Sequence, residues 1–287
     1  MPKFWFAESD PFAPINYRYK VNKRLFSKKS PYQHVKVFEH DFFGRIMTID
    51  DVVQLTDRDE FFYHEMLAHV PLHMHPAPKK VLIIGGGDGG TLREALKHPT
   101  VEKAVLIDID ALVIETSKRF FPQVAVAFKS PRATVLNMDG AKYMRETGER
   151  FDAVLVDSTD PVGPAKTLST QDFFKTAANV LTPNGLFAMQ TESLHYHIVF
   201  INQVQGYLGK VFPSVGLYAA PLATYAGNYW TFSIASKAKV QSWDPVRPAI
   251  KGTRIYDEEF HRKAIVPQKA RDCFTAIGSG PYKRAAR

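Results

Sequence analysis

The sequence contains one cysteine, Cys273, so the chain cannot form an internal disulfide bond. This excludes the disulfide framework that is typical of small secreted domains. No uninterrupted apolar run approaches the roughly 20 residues that a helix needs to cross a bilayer. The N-terminal apolar stretch is too short for a signal peptide, and Glu8 and Asp10 follow it at once. We therefore predict a cytoplasmic protein without a membrane segment.

The basic residues are dispersed along the chain, although the formal net charge is +8. A strongly basic balance is common in proteins that bind nucleic acids. Here the basic clusters are short, such as Lys28-Lys29 and Lys79-Lys80, and no stripe combines basic with aromatic residues. We predict an ordinary basic surface and no nucleic-acid partner.

The first part of the chain has β-strand patterns. Three strands are predicted, at 32–39, 45–49 and 52–56. The last two flank the turn candidate Asp50-Asp51. Residues 58–70 then predict a helix, which we expect Pro71 to end. The segment from His75 to Pro78 has the composition of a domain boundary.

From residue 79 onward, strand and helix patterns alternate. Seven strands are predicted, at 80–84, 103–108, 133–137, 152–157, 185–190, 214–219 and 229–236. This alternation favours a Rossmann-like α/β fold of the type found in SAM-dependent methyltransferases, a mostly parallel sheet with helices on both faces. We predict a small N-terminal β domain over 1–72 and a catalytic domain over 73–287, with a C-terminal extension from about 238. Ligands of such sheets bind at the carboxyl ends of the strands.

A glycine-rich turn follows the first of these seven strands. Gly85, Gly87 and Gly90 fit the pattern G-x-G-x-x-G between a strand and a predicted helix. Asp108 closes the next strand, 21 residues after Gly87, where an acid can bind a ribose diol. The whole context predicts a site for an adenosine-type cofactor.

Asp88 lies inside this turn, and its charge indicates which of the candidate cofactors fits the site. A dinucleotide would place its pyrophosphate there, and a carboxylate would repel it, which disfavours an NAD-dependent dehydrogenase. A sulfonium nucleoside is positively charged and suits Asp88. Helix capping alone is the other interpretation of Asp88. Asp139, after the following strand, is placed either to accept from an adenine amino group or to form a turn.

A second acidic loop follows the strand 152–157. It contains Asp157 and Asp160, three residues apart, and is held by Pro161 and Pro164. One carboxylate can accept a proton while the other holds a cation. An Asx turn before a helix is the alternative interpretation.

Several motifs in this order resemble the spermidine synthase (polyamine aminopropyltransferase) family. They are the glycine loop, the acidic proline loop, Trp5-Phe6-Ala7-Glu8, Tyr32-Gln33, the segment from Gln54 to Met66, Ala223-Thr224-Tyr225 and Trp230-Thr231-Phe232. The resemblance runs from about residue 4 to 236. It implies a homodimer or homotetramer that transfers aminopropyl from decarboxylated S-adenosylmethionine to a polyamine and releases methylthioadenosine.

The resemblance also implies roles for individual residues. Asp157 resembles the family's proton acceptor. With the aromatic residues that can flank a polyamine, the predicted contacts to the acceptor amine and the aminopropyl arm are Trp5, Tyr63, His64, Asp88, Asp160, Gln190, Tyr225 and Trp230. With the glycine motif, the predicted contacts to the donor nucleoside are Gln33, Gln54, Gly85, Gly87, Asp108, Asp139, Gly140 and Pro164. The donor is a co-substrate, and no permanently bound cofactor is expected.

The chemistry requires a base and a negative pocket. An alkyl ammonium, with a pKa of about 10.4, has no lone pair until a proton leaves. Asp157 can accept that proton. Donor and diamine together bring about four positive charges into one pocket, so a protein of net charge +8 must place acids there. Glu8 and Glu192 can add to the strand-end aspartates. No metal is needed, because the leaving group is a neutral thioether.

The acceptor amine is left open by one departure from the family pattern. The chain has Ala-Thr-Tyr-Ala over 223–226, where the family often has Pro-Thr-Tyr-Pro. We expect this change to loosen the acceptor loop. Putrescine is the default acceptor, and agmatine, cadaverine and spermidine are the alternatives.

Three other interpretations of the sequence are disfavoured. A SAM-dependent methyltransferase would share the fold and the glycine loop but would not explain Asp88 or the paired acids of the proline loop. A non-catalytic nucleoside-binding or polyamine-binding protein would not need Asp157 as a base. A zinc site is the third alternative, because histidines cluster at His64, His69, His73 and His75. The histidines at 64 and 69 are five apart, roughly 140° around a helix, so we predict no metal.

Overall fold

The computed structural model describes residues 3–10, 13–161 and 163–278, with only the backbone of Pro164. Two antiparallel sheets form the N-terminal part. The first pairs β1 (Phe4–Ser9) with β2 (Asn16–Val21). The second follows chain order through β3 (Lys23–Lys29), β4 (His34–His40), β5 (Gly44–Ile49) and β6 (Val52–Thr56). The three predicted strands of this region correspond to β4, β5 and β6.

The turn between β5 and β6 is formed by Asp50 and Asp51, as predicted. Their φ angles are 49° and 68°, the left-handed values that a two-residue hairpin turn requires and that Asp tolerates better than most residues. The turn fixes the register that pairs Ile49 with Val52.

The first helix, α1 (Glu60–Met74), continues through Pro71 instead of ending there, so this prediction was wrong. Proline removes one backbone hydrogen bond. The last turn is nevertheless retained, because Leu72, His73 and Met74 are all buried against the rest of the protein. Tertiary packing of a helix that is buried on almost every side offsets the local cost.

The predicted Rossmann-like sheet is confirmed. Its strands are β7 (Lys80–Gly85), β8 (Lys103–Asp108), β9 (Ala133–Asn137), β10 (Phe151–Asp157), β11 (Leu181–Ser193), β12 (Ser214–Pro221) and β13 (Tyr229–Ser236). They lie in the order β12-β13-β11-β10-β7-β8-β9. Strands β7 to β11 pair in parallel, whereas β13 is antiparallel to both of its neighbours.

Helices cover both faces of this sheet. They are α2 (Gly90–Lys97), α4 (Gly140–Glu146), α5 (Gln171–Val180) and α6 (Ile198–Gly209), with 3₁₀ segments at Ala125–Lys129 and Gly163–Ser169. The remaining helix of this region, α3 (Ala111–Phe120), packs against β4 of the N-terminal sheet. Alternate residues of β7 enter different cores: Val81 and Ile83 pack with α1 and α2, while Leu82 and Ile84 pack with α4, α5 and α6. The near-continuous apolar strands of the sequence reflect this burial on two faces.

The predicted domain boundary at residue 72 falls inside α1. Since α1 packs against β10, β11 and β12 through the core that contains Met66 and Leu67, we propose to assign it to the catalytic domain. The division then lies between Thr56 and Glu60. Among the described residues, no helix combines the length and apolar character needed to span a membrane.

The C-terminal extension contains α7 (Glu258–Ala264) and α8 (Gln268–Ile277) and returns to α1. The carboxylate of Glu65, fully buried, accepts the backbone N–H groups of Arg254, Ile255 and Tyr256 at 2.7, 2.9 and 3.0 Å. Arg247 donates to two carbonyl groups at the end of α1. The extension is therefore fastened to the helix that carries part of the cleft described below.

Replacing Glu65 with Gln should loosen this extension. The amide has one acceptor oxygen for three backbone donors, and hydrogen bonds to a charged group contribute about 2 kcal/mol. We expect a lower free energy of unfolding and faster proteolysis between residues 237 and 257. Chemical denaturation and limited proteolysis measure both, with Glu115→Gln on the exposed side of α3 as the control. Equal behaviour of the two variants would contradict the fastening role.

Candidate active site

The carboxyl ends of the parallel strands open into a cleft of about 310 Å³ between the central sheet and the N-terminal sheets. Asp108 ends β8 and Asp157 ends β10, while Asp88 and Asp139 follow β7 and β9. All four side chains line the cleft. This agrees with the position that parallel sheets give to ligands, and it brings together acids that are far apart in the sequence.

The glycine turn lets the backbone pass close to Asp157. Gly85 and Gly86 have φ angles of 82° and 69°, values that glycine adopts without steric cost. A Cβ atom on Gly85 would lie 2.1 Å from the carbonyl oxygen of Asp157. The N–H of Gly86 donates to that same oxygen at 2.7 Å. The turn and the acidic loop are thus packed directly against each other.

The predicted nucleoside acids are held by backbone groups. Asp108 accepts the N–H groups of Gly87 and Asp110, each at 2.8 Å. Burial raises the pKa of Asp108 to about 7, although these two hydrogen bonds oppose the rise. Asp139 caps α4 by accepting from the N–H of Lys142 at 2.8 Å. Asp139 is therefore a helix cap and a cleft residue at once.

Asp157 has the surroundings of a proton acceptor. The hydroxyl of Thr91 donates to its carboxylate at 2.6 Å, and Tyr63 is a further hydrogen-bond partner. Burial, and then the charge of Asp88, raise the pKa of Asp157 to about 6. A carboxylate with this pKa is ionised at neutral pH and is a stronger base than an exposed aspartate.

Asp88 and His64 form the charged wall next to Asp157. One oxygen of Asp88 accepts the N–H of Gly90 at 2.6 Å and lies 3.3 Å from Nε2 of His64. Burial alone would raise the pKa of Asp88, but His64 brings it below its ordinary value. Asp88 therefore stays ionised next to a carboxylate that is easier to protonate, and its second oxygen is available to a cation.

A second acidic group, formed by Glu8, Asp160 and Glu192, lines the other end of the cleft. Burial, and then Asp160, raise the pKa of Glu8 to about 8 and raise that of Glu192 well above its ordinary range. Burial also raises the pKa of Asp160. Among the described residues, no partner accompanies the buried Oε2 atom of Glu8. Buried carboxylates with raised pKa values favour an incoming cation.

Aromatic and amide groups join the two acidic ends. The Tyr225 ring lies 5.8 Å from Tyr63 and 4.7 Å from Trp230, and its hydroxyl donates to the carbonyl of Gln54 at 2.6 Å. Gln190 donates to the carbonyl of Ser158 at 3.2 Å and so supports the acidic loop. These rings provide apolar walls on which methylene groups can pack.

Hydrogen bonds hold the loop over 223–226 more firmly than the sequence predicts. The N–H of Thr224 donates to Asp59 at 3.1 Å, and Tyr19 donates to the Thr224 carbonyl at 3.1 Å. Asp59, which immediately precedes α1, and Tyr19 of β2 therefore hold this loop in the absence of prolines.

Among the predicted site residues whose side chains the structure describes, all but one line the cleft. Those that line it are Gln33, Gln54, Tyr63, His64, Gly85, Gly87, Asp88, Asp108, Asp139, Gly140, Asp157, Asp160, Gln190, Tyr225 and Trp230. The exception is Trp5, which is 54% exposed and has Arg18 over its ring. Side chains alternate along β1, so Phe6 and Glu8 face inward and Trp5 faces outward. The side chain of Pro164 lies outside the described residues.

Sequence reasoning missed several residues of the cleft wall. His197 immediately precedes α6 and lies 3.4 Å from Asp10 and 3.7 Å from Glu192. Glu60 and Arg93 support His64 from behind. The spacing of Glu60 and His64, one helical turn apart, was a usable signal. No comparable spacing marked His197, because Asp10 and Glu192 are brought to it only by the folding of distant segments.

A separate histidine cluster lies beneath α1. His69 and His73 are one helical turn apart, a spacing that the sequence prediction of the zinc site did not take into account. One ring nitrogen from each of them and one from His98 lie within 4.8 Å of one another. Arg247 donates to Nδ1 of His98 at 3.2 Å, so the other nitrogen of this ring carries the proton and donates to His69 at 3.0 Å. A metal would need that nitrogen's lone pair. The hydrogen bonds here are those of a buried polar chain.

Comparison with known proteins agrees with this geometry. Residues 60–244 match the family model of the spermine/spermidine synthase domain, and residues 4–57 match that of the spermidine synthase tetramerisation domain. The chain belongs to the spermine/spermidine synthase family. It is an aminopropyltransferase with a Rossmann-like catalytic fold, and the second match indicates assembly into an oligomer.

Individual relatives are similar over almost their whole length. Polyamine aminopropyltransferase 1 of Aquifex aeolicus is 51% identical over 97% of this chain and 98% of its own. The polyamine aminopropyltransferase of Bacillus subtilis is 39% identical over 94% and 98%. A spermidine synthase solved with the transition-state analogue AdoDATO superposes with a TM-score of 0.89, at 36% identity over 95% of each chain. The Thermotoga maritima spermidine synthase gives 0.88, at 36% identity over 96% and 94%.

Replacing Gly87 with Ala should block the nucleoside end of the cleft. A Cβ atom there would lie 2.6 Å from Oδ2 of Asp108 and would displace this carboxylate. We expect methylthioadenosine to bind about tenfold more weakly or worse, the loss of one charge-assisted hydrogen bond. Calorimetry measures the affinity. Gly148→Ala is the matched control, since nothing lies within 4 Å of its Cβ position. Wild-type affinity in both variants would contradict this role of Asp108.

Proposed function

We propose that this enzyme transfers the aminopropyl group of decarboxylated S-adenosylmethionine to putrescine, giving spermidine and methylthioadenosine. The observation that most strongly supports this proposal is the arrangement of carboxylates in one cleft. Asp108 and Asp139 lie at the nucleoside end, Asp88 and Asp157 at the centre, and the Glu8 group at the far end. The nucleoside of the donor, its positively charged aminopropyl arm and the diamine would occupy these three positions in that order.

The proposed donor contacts follow from this order. The ribose diol would bind Asp108 and the adenine amino group Asp139, with Gln33 and Gln54 beside the nucleoside. The ammonium of the aminopropyl arm would bind the second oxygen of Asp88. Ordinary S-adenosylmethionine carries a carboxylate at this place, which Asp88 would repel, so the site disfavours the methyltransferase alternative.

The proposed reaction is a direct displacement. The near amine of putrescine loses a proton to Asp157, and its nitrogen then attacks the methylene that is bound to the sulfonium. A C–N bond forms, the C–S bond breaks, and the electron pair of the broken bond neutralises the sulfur. Tyr63 and Tyr225 flank the amine, and the dry aromatic walls lower its pKa, which makes transfer to a carboxylate feasible.

The far end of the cleft supports putrescine as the acceptor. Glu8, Asp160 and Glu192 would hold the distal ammonium, and the anchored loop that carries Tyr225 would limit the length of the channel. Agmatine, cadaverine and spermidine are the other acceptors to compare. We further propose a homodimer or homotetramer, supported by the match to a tetramerisation domain. The cytoplasmic location stays a prediction from the sequence.

Turnover tests the proposal directly. Purified protein is incubated with decarboxylated S-adenosylmethionine and, separately, with putrescine, agmatine, cadaverine or spermidine, and methylthioadenosine is quantified by chromatography. We expect amine-dependent release that is fastest with putrescine. Faster release with another amine would reassign the acceptor. No release with any amine, together with consumption of ordinary S-adenosylmethionine, would replace the proposal with methyl transfer.

Asp157→Asn should abolish turnover while ligands still bind. The amide has nearly the shape of the carboxylate but cannot accept the proton, and general-base catalysis contributes roughly 10²- to 10⁴-fold. The isosteric control is Asp172→Asn on the exposed end of α5. A variant that keeps more than half of the wild-type kcat would exclude Asp157 as the base.

The wild-type enzyme should also lose activity in acid. The pKa of Asp157 is about 6, and only the ionised form accepts a proton, so kcat should fall as the pH is lowered toward and below 6. Saturating donor keeps Asp108, whose pKa is about 7, occupied during the measurement. Saturating amine keeps the Glu8 end of the cleft occupied during the measurement. Undiminished activity at pH 5 would contradict the assigned pKa.

A further inference from the structure

Glu60 and Arg93 form a buried ion pair behind His64, outside the cleft wall predicted from the sequence. Glu60 is the first residue of α1, and one of its oxygens lies 2.6 Å from Nδ1 of His64. The guanidinium of Arg93 donates to both oxygens of Glu60, at 3.1 and 2.8 Å. The side chains of Glu60 and Arg93 are only 6% and 15% exposed. A paired geometry of this kind is rigid as well as strong.

The ring of His64 has a single orientation in this setting. A Cβ atom on Gly90 would lie 2.3 Å from the ring, so the imidazole packs directly on the first turn of α2. Its Nδ1 faces Glu60 and its Nε2 faces Asp88. Nδ1 is hydrogen-bonded to Glu60 at 2.6 Å, and Nε2 lies 3.3 Å from Asp88. A carboxylate beside each nitrogen favours the doubly protonated imidazolium.

The charges around His64 come from several elements. Glu60 precedes it on α1, Asp88 belongs to the glycine turn, and Asp157 ends β10. A carboxylate oxygen of Asp157 lies within 4.8 Å of a ring nitrogen of His64 and of a carboxylate oxygen of Asp88. The Tyr63 ring lies 5.4 Å away. Burial would lower the pKa of His64, but Asp88 and Glu60 raise it well above its ordinary value. The positive ring in turn lowers the pKa of Asp157 against the effect of Asp88.

We propose that Glu60 and Arg93 are positioning residues for aminopropyl transfer, which fix the orientation and the positive charge of His64 beside Asp88 and Asp157. The inference rests on the proposed function for its catalytic consequence. Arg93 is itself held, because its Nε donates to Glu94 at 2.7 Å and Glu94 is paired with His69 and Lys97. The network thus connects the reacting centre to the interface between α1 and α2.

Replacing Glu60 with Gln disturbs this arrangement at a defined point. The amide has one acceptor and one donor group, yet both of its neighbours, His64 and Arg93, are donors. The NH₂ group of the amide must therefore face an N–H group of either His64 or Arg93, which is repulsive. The repulsion is relieved if His64 loses a proton and accepts instead. A neutral His64 no longer offsets the charge of Asp88. The pKa of Asp157 then rises, and the acid limb of the pH–rate profile moves to higher pH.

The protonation of His64 can be measured without turnover. Protein labelled with ¹⁵N in its histidines is examined by NMR at pH 7, and the His64 signals are assigned by their loss in His64→Gln. We expect a doubly protonated ring in the wild-type protein and in Glu115→Gln, and a neutral ring in Glu60→Gln. A neutral ring in the wild-type protein would overturn the proposal, whether or not the enzyme proves to be an aminopropyltransferase.

The pH profile of kcat, measured with saturating donor and amine, tests the catalytic consequence. We expect the acid limb to move up by about one pH unit in Glu60→Gln and in His64→Gln, a typical effect of one nearby charge. The double variant should show no further shift, because Glu60 acts through His64. Glu115→Gln should keep the wild-type profile. A structural role alone would lower stability and activity without moving the limb, and that result would overturn the inference.

Arg93→Lys provides a second variant that keeps the buried charge. Lysine contacts Glu60 as a point charge and loses the paired geometry. We expect an unmoved acid limb with kcat lowered about tenfold, since His64 stays protonated but is less well oriented. Wild-type kcat in this variant would exclude a positioning role for Arg93. A wild-type enzyme without amine-dependent turnover would refute the proposed function, and the NMR result would still decide the state of His64.

Discussion

Carboxylates buried side by side in one cleft are the constraint on which the rest of the structure depends. Each carboxylate resists ionisation when its neighbours are already charged and water is scarce. The protein resolves this differently at the two ends. At the centre, His64 and the N–H of Gly90 keep Asp88 ionised, and the pKa of Asp157 is raised to about 6. At the far end, Glu8 and Glu192 keep raised pKa values that a bound ammonium would lower.

This constraint also explains the surroundings of the cleft. Burial in an enclosed cleft strengthens every interaction between a carboxylate and a cation. The N-terminal sheets supply part of that enclosure, since Glu8 extends inward from β1. The C-terminal extension acts at a distance by holding α1 through Glu65. A protein of net charge +8 can thereby accept polycations at one negative site.

Sequence patterns predicted the central sheet well and the details of the site in part. Apolar strands followed by acids identified Asp108 and Asp157, because strand ends and ligand positions coincide in parallel sheets. Pro71 misled the helix prediction, since the burial of Leu72 and Met74 outweighs a local rule. Trp5 was misplaced because composition does not reveal which face of a strand is buried. Arg93 was missed because its partner Glu60 is distant in sequence, and only the packing of α1 on α2 joins them.

Proton release on diamine binding tests the central claim most directly. Calorimetric titration of putrescine into the protein saturated with methylthioadenosine is repeated at pH 7 in buffers of different ionisation enthalpy. Glu8, with a pKa of about 8, is mostly protonated in the free protein at this pH. An arriving ammonium lowers that pKa, so the account predicts net release of protons to the buffer. Binding with no proton release, or with proton uptake, would contradict it.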